Sequence, residues 1–464
     1  MTDEERSKIK KVPLMIALLS GAFVAILNQT LLGTALPYIM RDLEIDPNLG
    51  QWLQSIFMLV NGIMIPVTAF LIERFTTRGL FLTAMGLFAF GSLLCAIAPS
   101  FEILLVGRVF QASGAGIIMP LMQTILFLIF PIDKRGKAMG YFGLIIAFAP
   151  AIGPTLSGYL VENHHWSILF YIVLPIAIFD MIVAYFILKN ITKQTYPSVH
   201  IPSIILSTLG FGGLLYGFSV AGDAGWLATE TVISILVGSI TLFLFIRLQL
   251  RMETPILEFR IFKFKTFTIA TVIGMVSFMS MIGGAIILPI FMQDMLGFSP
   301  LESGLMLMPG AVLMGLMNPV TGTLFDKFGP RWLLIIGSLG LFLTTLLFTN
   351  LDESTSFLYL TVSNTLRMLS IAMIMMPSTT AGLNVLPEKY LPHGTAMNNT
   401  FRQISGAVGT ALLVSVMTHQ ITQNAGVAGE INGVVVSFYV AAIISIIGFI
   451  LSLFINNQSD RASV

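Results

Sequence analysis

Fourteen apolar runs, separated by charges, prolines or glycine clusters, divide this sequence. They lie near 13–36, 51–72, 79–98, 103–130, 138–160, 166–188, 202–220, 230–248, 267–292, 303–325, 331–349, 356–380, 398–418 and 433–455. A helix crossing a ~30 Å hydrocarbon core needs about 20 apolar residues, so such runs use roughly 280 residues and leave only short connections. The runs are continuous rather than alternating, which excludes a porin-like barrel. The first has no small-residue cleavage site behind a short apolar stretch and reads as a retained helix, not a signal peptide. The fold expected is an all-α polytopic membrane protein with fourteen spans embedded in a lipid bilayer.

Charge supports this reading and orients the chain. Of 464 residues, 56% are hydrophobic and 10% charged, against about 25% charged in a soluble domain. Lys plus Arg is 24 and Asp plus Glu 23, a formal balance of +1, without the basic excess of a nucleic-acid binder. One cysteine, Cys95, cannot form an intrachain disulfide, and the five histidines show no metal-ligand spacing. The sequence has no nucleotide loop or nucleophile–base arrangement, so neither an enzyme nor a cofactor is expected. With a cytoplasmic amino terminus, the inside loops hold Arg6, Lys8, Lys10, Lys11, Arg74, Arg78, Lys134, Arg135, Lys137, Lys189, Lys193, Arg247, Arg251, Arg260, Lys263, Lys265, Lys327, Arg331, Lys389 and Arg461, and the outside loops hold only Arg41. Arg108, Arg367 and Arg402 fall in spans. That asymmetry predicts both termini in the cytoplasm.

A repeat divides the spans. Pro66, Val67, Thr68, Leu71 and Phe75 recur 253 residues on as Pro319, Val320, Thr321, Leu324 and Phe328, and the pair Glu73–Arg74 recurs as Asp326–Lys327. A second echo sets Gly136-Lys-Ala-Met139 against Gly394-Thr-Ala-Met397. Two parallel six-span bundles follow, over 1–190 and 266–464, with a helix pair and its cytoplasmic loop inserted over 191–265. Repeated halves are a signature of transporters that rock around a midplane site.

The motifs then become recognisable. Gly322-x-Leu324-x-Asp326-Lys327-x-Gly329-x-Arg331 resembles the loop motif of the major facilitator superfamily. Its first-half copy keeps Arg74 and Arg78 but has Glu73 where the family has Asp, and Ala69, Thr76 and Thr77 where the family has Gly, Gly and Arg. A carboxylate at a helix end can clamp neighbouring helix termini in one state and release them in another, a gating role. Gly107-Arg108 to Gly116 resembles the span-4 motif, with Arg108 about 9 Å into the span. Pro150, Gly153, Pro154 and Gly158 resemble the Gly-Pro motif of antiporters in span 5, suited to a sliding interface. Asn28-Gln29-Thr30 to Pro37, Trp166 to Pro175, Pro255 to Phe267 and Arg402-Gln403 are similar to the fourteen-span drug:proton antiporters of the EmrB/QacA type.

The resemblance covers essentially the whole chain and implies proton-driven export, by alternating access, of amphipathic toxic small molecules across a bacterial cytoplasmic membrane. It implies a functional monomer. Many members carry Asp in span 1 where this chain has Asn28, so proton handling cannot be transferred to that position. Asp180, about 21 Å along span 6 from Trp166, is the acid well inside a span. Arg108, Glu102 and Asp294 are the further proton-coupling candidates. The resemblance places the substrate cavity between spans 1, 2, 4 and 5 and their repeats, with Asn28, Gln29, Gln54, Asn61, Gln111, Met119, Gln123, Met281, Asn318, Asn364, Arg367 and Arg402 as candidates. Few acids line that region, which leaves room for neutral or zwitterionic substrates. Two alternatives stand beside this reading. One is export of a physiological lipid, siderophore or metabolite; the other, from a different class, is a channel.

Overall fold

A lipid-facing backbone has no water to bond, so every amide must be satisfied within its own segment, and helices are the outcome. A computed structural model describes residues 11–423 and 427–456 and, among them, fourteen long helices. The amino-terminal six are α1 (Lys11–Asp42), α2 (Pro47–Arg74), α3 (Thr77–Ala96), α4 (Phe101–Ile129), α5 (Arg135–Asn163) and α6 (Ile168–Ile187). Then come α7 (Ile201–Ala224) and α8 (Thr229–Gln249). The last six are α9 (Lys265–Ile290), α10 (Pro300–Phe328), α11 (Pro330–Leu346), α12 (Phe357–Asn384), α13 (Leu391–Gln423) and α14 (Val427–Ser452). Each expected run coincides with one helix. Of the orienting bases, Arg6, Lys8, Lys10 and Arg461 lie outside the described residues.

Thirteen of these helices are long and apolar enough to cross a membrane. The other, α13, is 33 residues long and carries His393, Asn398, Asn399, Thr400, Arg402 and Gln403 in its first half. Helix starts are fixed locally. Asp46 caps α2 through Leu49 N–H at 2.8 Å, and Ser299 and Glu302 form a reciprocal capping box on α10. Gly329, at φ +80°, makes the turn from α10 into α11, a conformation that a side chain would strain.

Packing repeats at an offset of eight helices. In the first half α4 packs on α2 and α3, α1 on α4, α5 and α6, and α3 on α6; in the second, α12 packs on α10 and α11, α9 on α12, α13 and α14, and α11 on α14. The halves meet along two seams, α5 against α10 and α2 against α13. In the first seam the backbones nearly touch. A Cβ on Gly140 would stand 2.6 Å from Asn318 O and 2.7 Å from Pro319 Cα, and one on Gly322 would collide with Gly136 O. Small residues are what permits such an approach between helices.

The second seam is covered by α7, which packs on both α2 and α13 with α8 behind it. Leu215 fills the space beside Gly62, Tyr216 stacks on Trp52 at 5.9 Å, and Trp226 donates to Ser415 Oγ at 2.7 Å. The chain entering α7 is strapped to the α2–α3 turn. Arg74 Nη1 donates to Pro197 O at 2.7 Å, Thr195 N to Glu73 O at 3.0 Å, and Thr77 bonds Asn190 and Thr192.

Replacing Gly140 by Leu is expected to force α5 off α10 and to cost roughly 1–3 kcal/mol, the usual size of an overpacking penalty. Thermal unfolding of the purified protein in nanodiscs checks this. An unchanged melting temperature would mean that the seam is looser than described.

Candidate functional site

The two acids of the repeat occupy equivalent places, one on each seam. Asp326, at the end of α10, accepts from the Gly136 and Lys137 backbone N–H groups at 2.8 Å each, on the first turn of α5. Those amides have no partner within their own helix and sit at its positive dipole end, so a carboxylate there is doubly favoured. Glu73, at the end of α2, meets the first turn of α13 through a side chain instead, with His393 Nε2 2.9 Å from its Oε1. The Glu258 backbone N–H points at His393 Nδ1 from 3.3 Å. Nδ1 is therefore the acceptor, and Nε2 carries the hydrogen donated to Glu73.

Among the described residues, the contacts of Arg74, Arg78 and Lys327 stay within their own halves or reach the inserted segment. Arg74 holds the strap, Arg78 lies 3.9 Å over the Tyr185 ring of α6, and Lys327 lies over Phe328 on its own helix. Arg331 opens α11. The degraded first copy has a physical account: Thr77, standing where the family has Arg, donates its amide to Asn190 Oδ1 and accepts the Ile191 and Thr192 N–H groups at its hydroxyl.

Contacts between the halves gather at this end. Beyond the acids, Thr124 bonds Thr395 at 2.8 Å, and Asn399 Nδ2 donates to Gln123 Oε1 at 2.7 Å. Along α5 the contacts run from Gly136 to Phe148, which lies against Gly315. They then stop. Pro150 and Pro154 are exposed, and Gly158 has nothing within 4 Å of a built Cβ. Gly153 instead seats Thr30 of α1, and Ser157 Oγ donates to Leu31 O at 2.6 Å, so this motif packs α5 on α1 within one half.

At mid-depth a cavity of about 50 Å³ lies between α1, α2, α4 and α13, lined by Gln29, Asn61, Met119, Asn399 and Gln403 with Ala25, Ile26, Ile65 and Ala115. Both halves contribute to it. The other expected cavity residues lie elsewhere. Asn28 and Gln111 bond each other at 3.2 Å inside the amino-terminal half, and Gln123 stands behind Asn399. Gln54 is beside Gly33, Asn318 is buried against Gly143, Asn364 is buried near Gly310, and Met281 packs on the core.

The buried charges are mostly cationic. Arg108 is 0% exposed; its Nε donates to Leu53 O at 3.1 Å, its Nη1 to Gln111 Oε1 at 3.0 Å, and it lies 4.3 Å from the Phe57 ring centre. Arg367 donates to Ser280 of α9, and Arg402 stacks on Phe278. None of the three forms an ion pair among the described residues. Asp180, 2% exposed, accepts from Ser20 Oγ and faces Gly21, whose built Cβ would stand 2.8 Å from Oδ2. It sits behind α1, away from the cavity. Glu102 and Asp294 are exposed at the far end.

Sequence reasoning missed His393 and Asn399, and it used Gln403 only as a family marker. The signal was present in the polar first half of α13, the least apolar long helix of the fourteen.

A model of the Major Facilitator Superfamily matches residues 18–410. The chain belongs to that superfamily. It is 52% identical over 455 residues to the MFS-type transporter YcnB of Bacillus subtilis (strain 168), covering 97% of this chain and 96% of that one. It is 40% identical to the lincomycin resistance protein LmrB of Listeria monocytogenes, covering 97% of each. The human organic anion transporter MFSD10 shares the fold, with a TM-score of 0.72 at 15% identity, over 97% of this chain and 100% of that one. The chain is accordingly a multi-pass membrane transporter of that superfamily, and not an enzyme.

Removing the Asp326 carboxylate, as Asp326→Ala, deletes two charge-assisted hydrogen bonds of about 1.5–3 kcal/mol each. The expected result is separation of α5 and α10 at this end. Spin labels at Lys137 and Thr323 should report a longer mean distance, while a distribution unchanged from that of the parent would remove the latch.

Proposed function

We propose that this protein exports amphipathic toxic compounds from bacteria in exchange for protons, by alternating access in the cytoplasmic membrane, as a monomer. The observation that carries the proposal is the paired latch, in which Glu73 and Asp326 each hold the first turn of a helix from the opposite half. An acid that binds another helix's free amides in one conformation and water in the other gives a two-state element with a defined energy difference. The lincomycin resistance named for LmrB supports export of toxic small molecules.

In this proposal residues 1–190 and 266–464 are the rocking bundles, and 191–265 is the inserted pair. The basic loops support a cytoplasmic location for both termini and for the latched end. The conformation is then closed to the cytoplasm, and the contracted cavity must widen before a drug-sized ligand fits, since such sites run to ~300–1,000 Å³. Asp180 is the proposed proton carrier. It is a buried carboxylate with a single hydroxyl donor on α1, the helix that also presents Gln29 to the cavity. Loading a proton there changes the Asp180–Ser20 contact, and α1 relays that change to the substrate. Arg108 forms no ion pair with a carboxylate among the described residues and acts as a fixed charge.

The deciding experiment is transport by proteoliposomes with and without an imposed pH gradient, over a panel of neutral and cationic compounds. Gradient-driven uptake into inverted vesicles is expected. Transport indifferent to the gradient would defeat antiport, and rapid passive ion flux would favour a channel. Asp180→Asn is expected to abolish the gradient-driven component while substrate binding persists. Unchanged driven transport in that variant would place the proton elsewhere.

A further inference from the structure

Resting on the reading of this cavity as the substrate site, we infer that it selects uncharged amphiphiles bearing carbonyl, amide or hydroxyl groups and rejects permanent cations. Its polar lining consists of four carboxamides, Gln29, Asn61, Asn399 and Gln403, set among small aliphatic groups and Met119. A carboxamide both donates and accepts, so such a lining can satisfy a neutral ligand of either polarity. It has no full charge to offer a cation in return for lost hydration, and stripping water from an ion without compensation is expensive.

The charges around the cavity reinforce this selection. Arg402 directly precedes Gln403 on α13, and Arg108 lies about 10 Å along α4 from Ala115, at 1.5 Å per residue. Neither has a carboxylate within ion-pair distance among the described residues. The acid buried within a span, Asp180, faces Ser20 and Gly21, and Gly21 also neighbours Phe81 and Met85 of α3, all inside the amino-terminal half. A cation in the cavity would thus meet like charge and no counter-ion. An anion would find no direct partner either, because the Arg108 and Arg402 guanidiniums are stacked on Phe57 and Phe278 rather than turned to the lining. Adaptable Met119 lets the site accept varied apolar shapes without relaxing the charge rule.

The test uses triphenylphosphine oxide and methyltriphenylphosphonium, which share a triphenylphosphorus core and differ in charge, with tetraphenylborate as the anion. Binding to the full-length protein in nanodiscs, without a gradient, is expected to be at least tenfold tighter for the oxide than for the phosphonium. Gln29→Glu or Gln403→Glu is expected to raise phosphonium affinity at least tenfold at pH 8, and either variant that folds suffices. Parent protein that binds the phosphonium or the borate as tightly as the oxide, or binds none of the three, overturns the assignment. Oxide binding without gradient-driven transport would instead overturn the export reading and leave the charge selection standing.

Discussion

The structure depends on carboxylates placed against helix beginnings that belong to the other half. Inside a bilayer two bundles gain little from apolar contact, because lipid is as good a partner as leucine. Directional bonds at the rim therefore count for more than they would in water. Asp326 supplies two of them to α5, and Glu73 reaches α13 through His393. The glycine contacts of α5 and α10 follow from that clamp, since they require the backbones to be held within touching distance.

The repeat is close in packing, apart from α14 lying on α13 where α6 barely touches α5, and loose in chemistry. Helix neighbours correspond across an offset of eight, yet one acid binds bare amides and the other binds an imidazole. The difference tracks the strap. In the first half the turn after Glu73 is occupied by the chain entering α7, and the Glu258 amide, from the chain leaving α8, orients the histidine. The inserted helices have therefore altered the latch nearest to them.

The number of helices and the repeat could be read from the sequence, because lipid imposes length and charge rules that leave few alternatives, whereas polar ends such as the start of α13 at Leu391 could not. The latch acids were legible for the same reason: charge is scarce, and Glu73 and Asp326 recur at one spacing. The cavity was less so. Asn28 and Gln29 are neighbours of similar polarity, yet one faces Gln111 and the other the cavity, a difference of helical phase that composition does not carry. Arg74 and Arg78 read as parts of a gate because their alternative partners, Pro197 and Tyr185, are more than a hundred residues away in sequence. Asn399 was hidden by its position in a helix whose polarity resembled that of a loop.

The covered seam has a mechanical consequence. Because α7 touches α2 on one side and α13 on the other, the halves cannot part there without dragging it past one of them. Its face toward α2 is knob and socket, Leu215 beside Gly62 and Ile63 beside Gly212, while toward α13 Gly222 approaches no nearer than an ordinary van der Waals contact with Ala411. The smoother face is the one able to slip. Within the proposed alternating access, an inserted pair carried by the amino-terminal half would make the moving parts eight helices and six, with α7 as the bearing between them and the Trp226–Ser415 bond as the tie to be released.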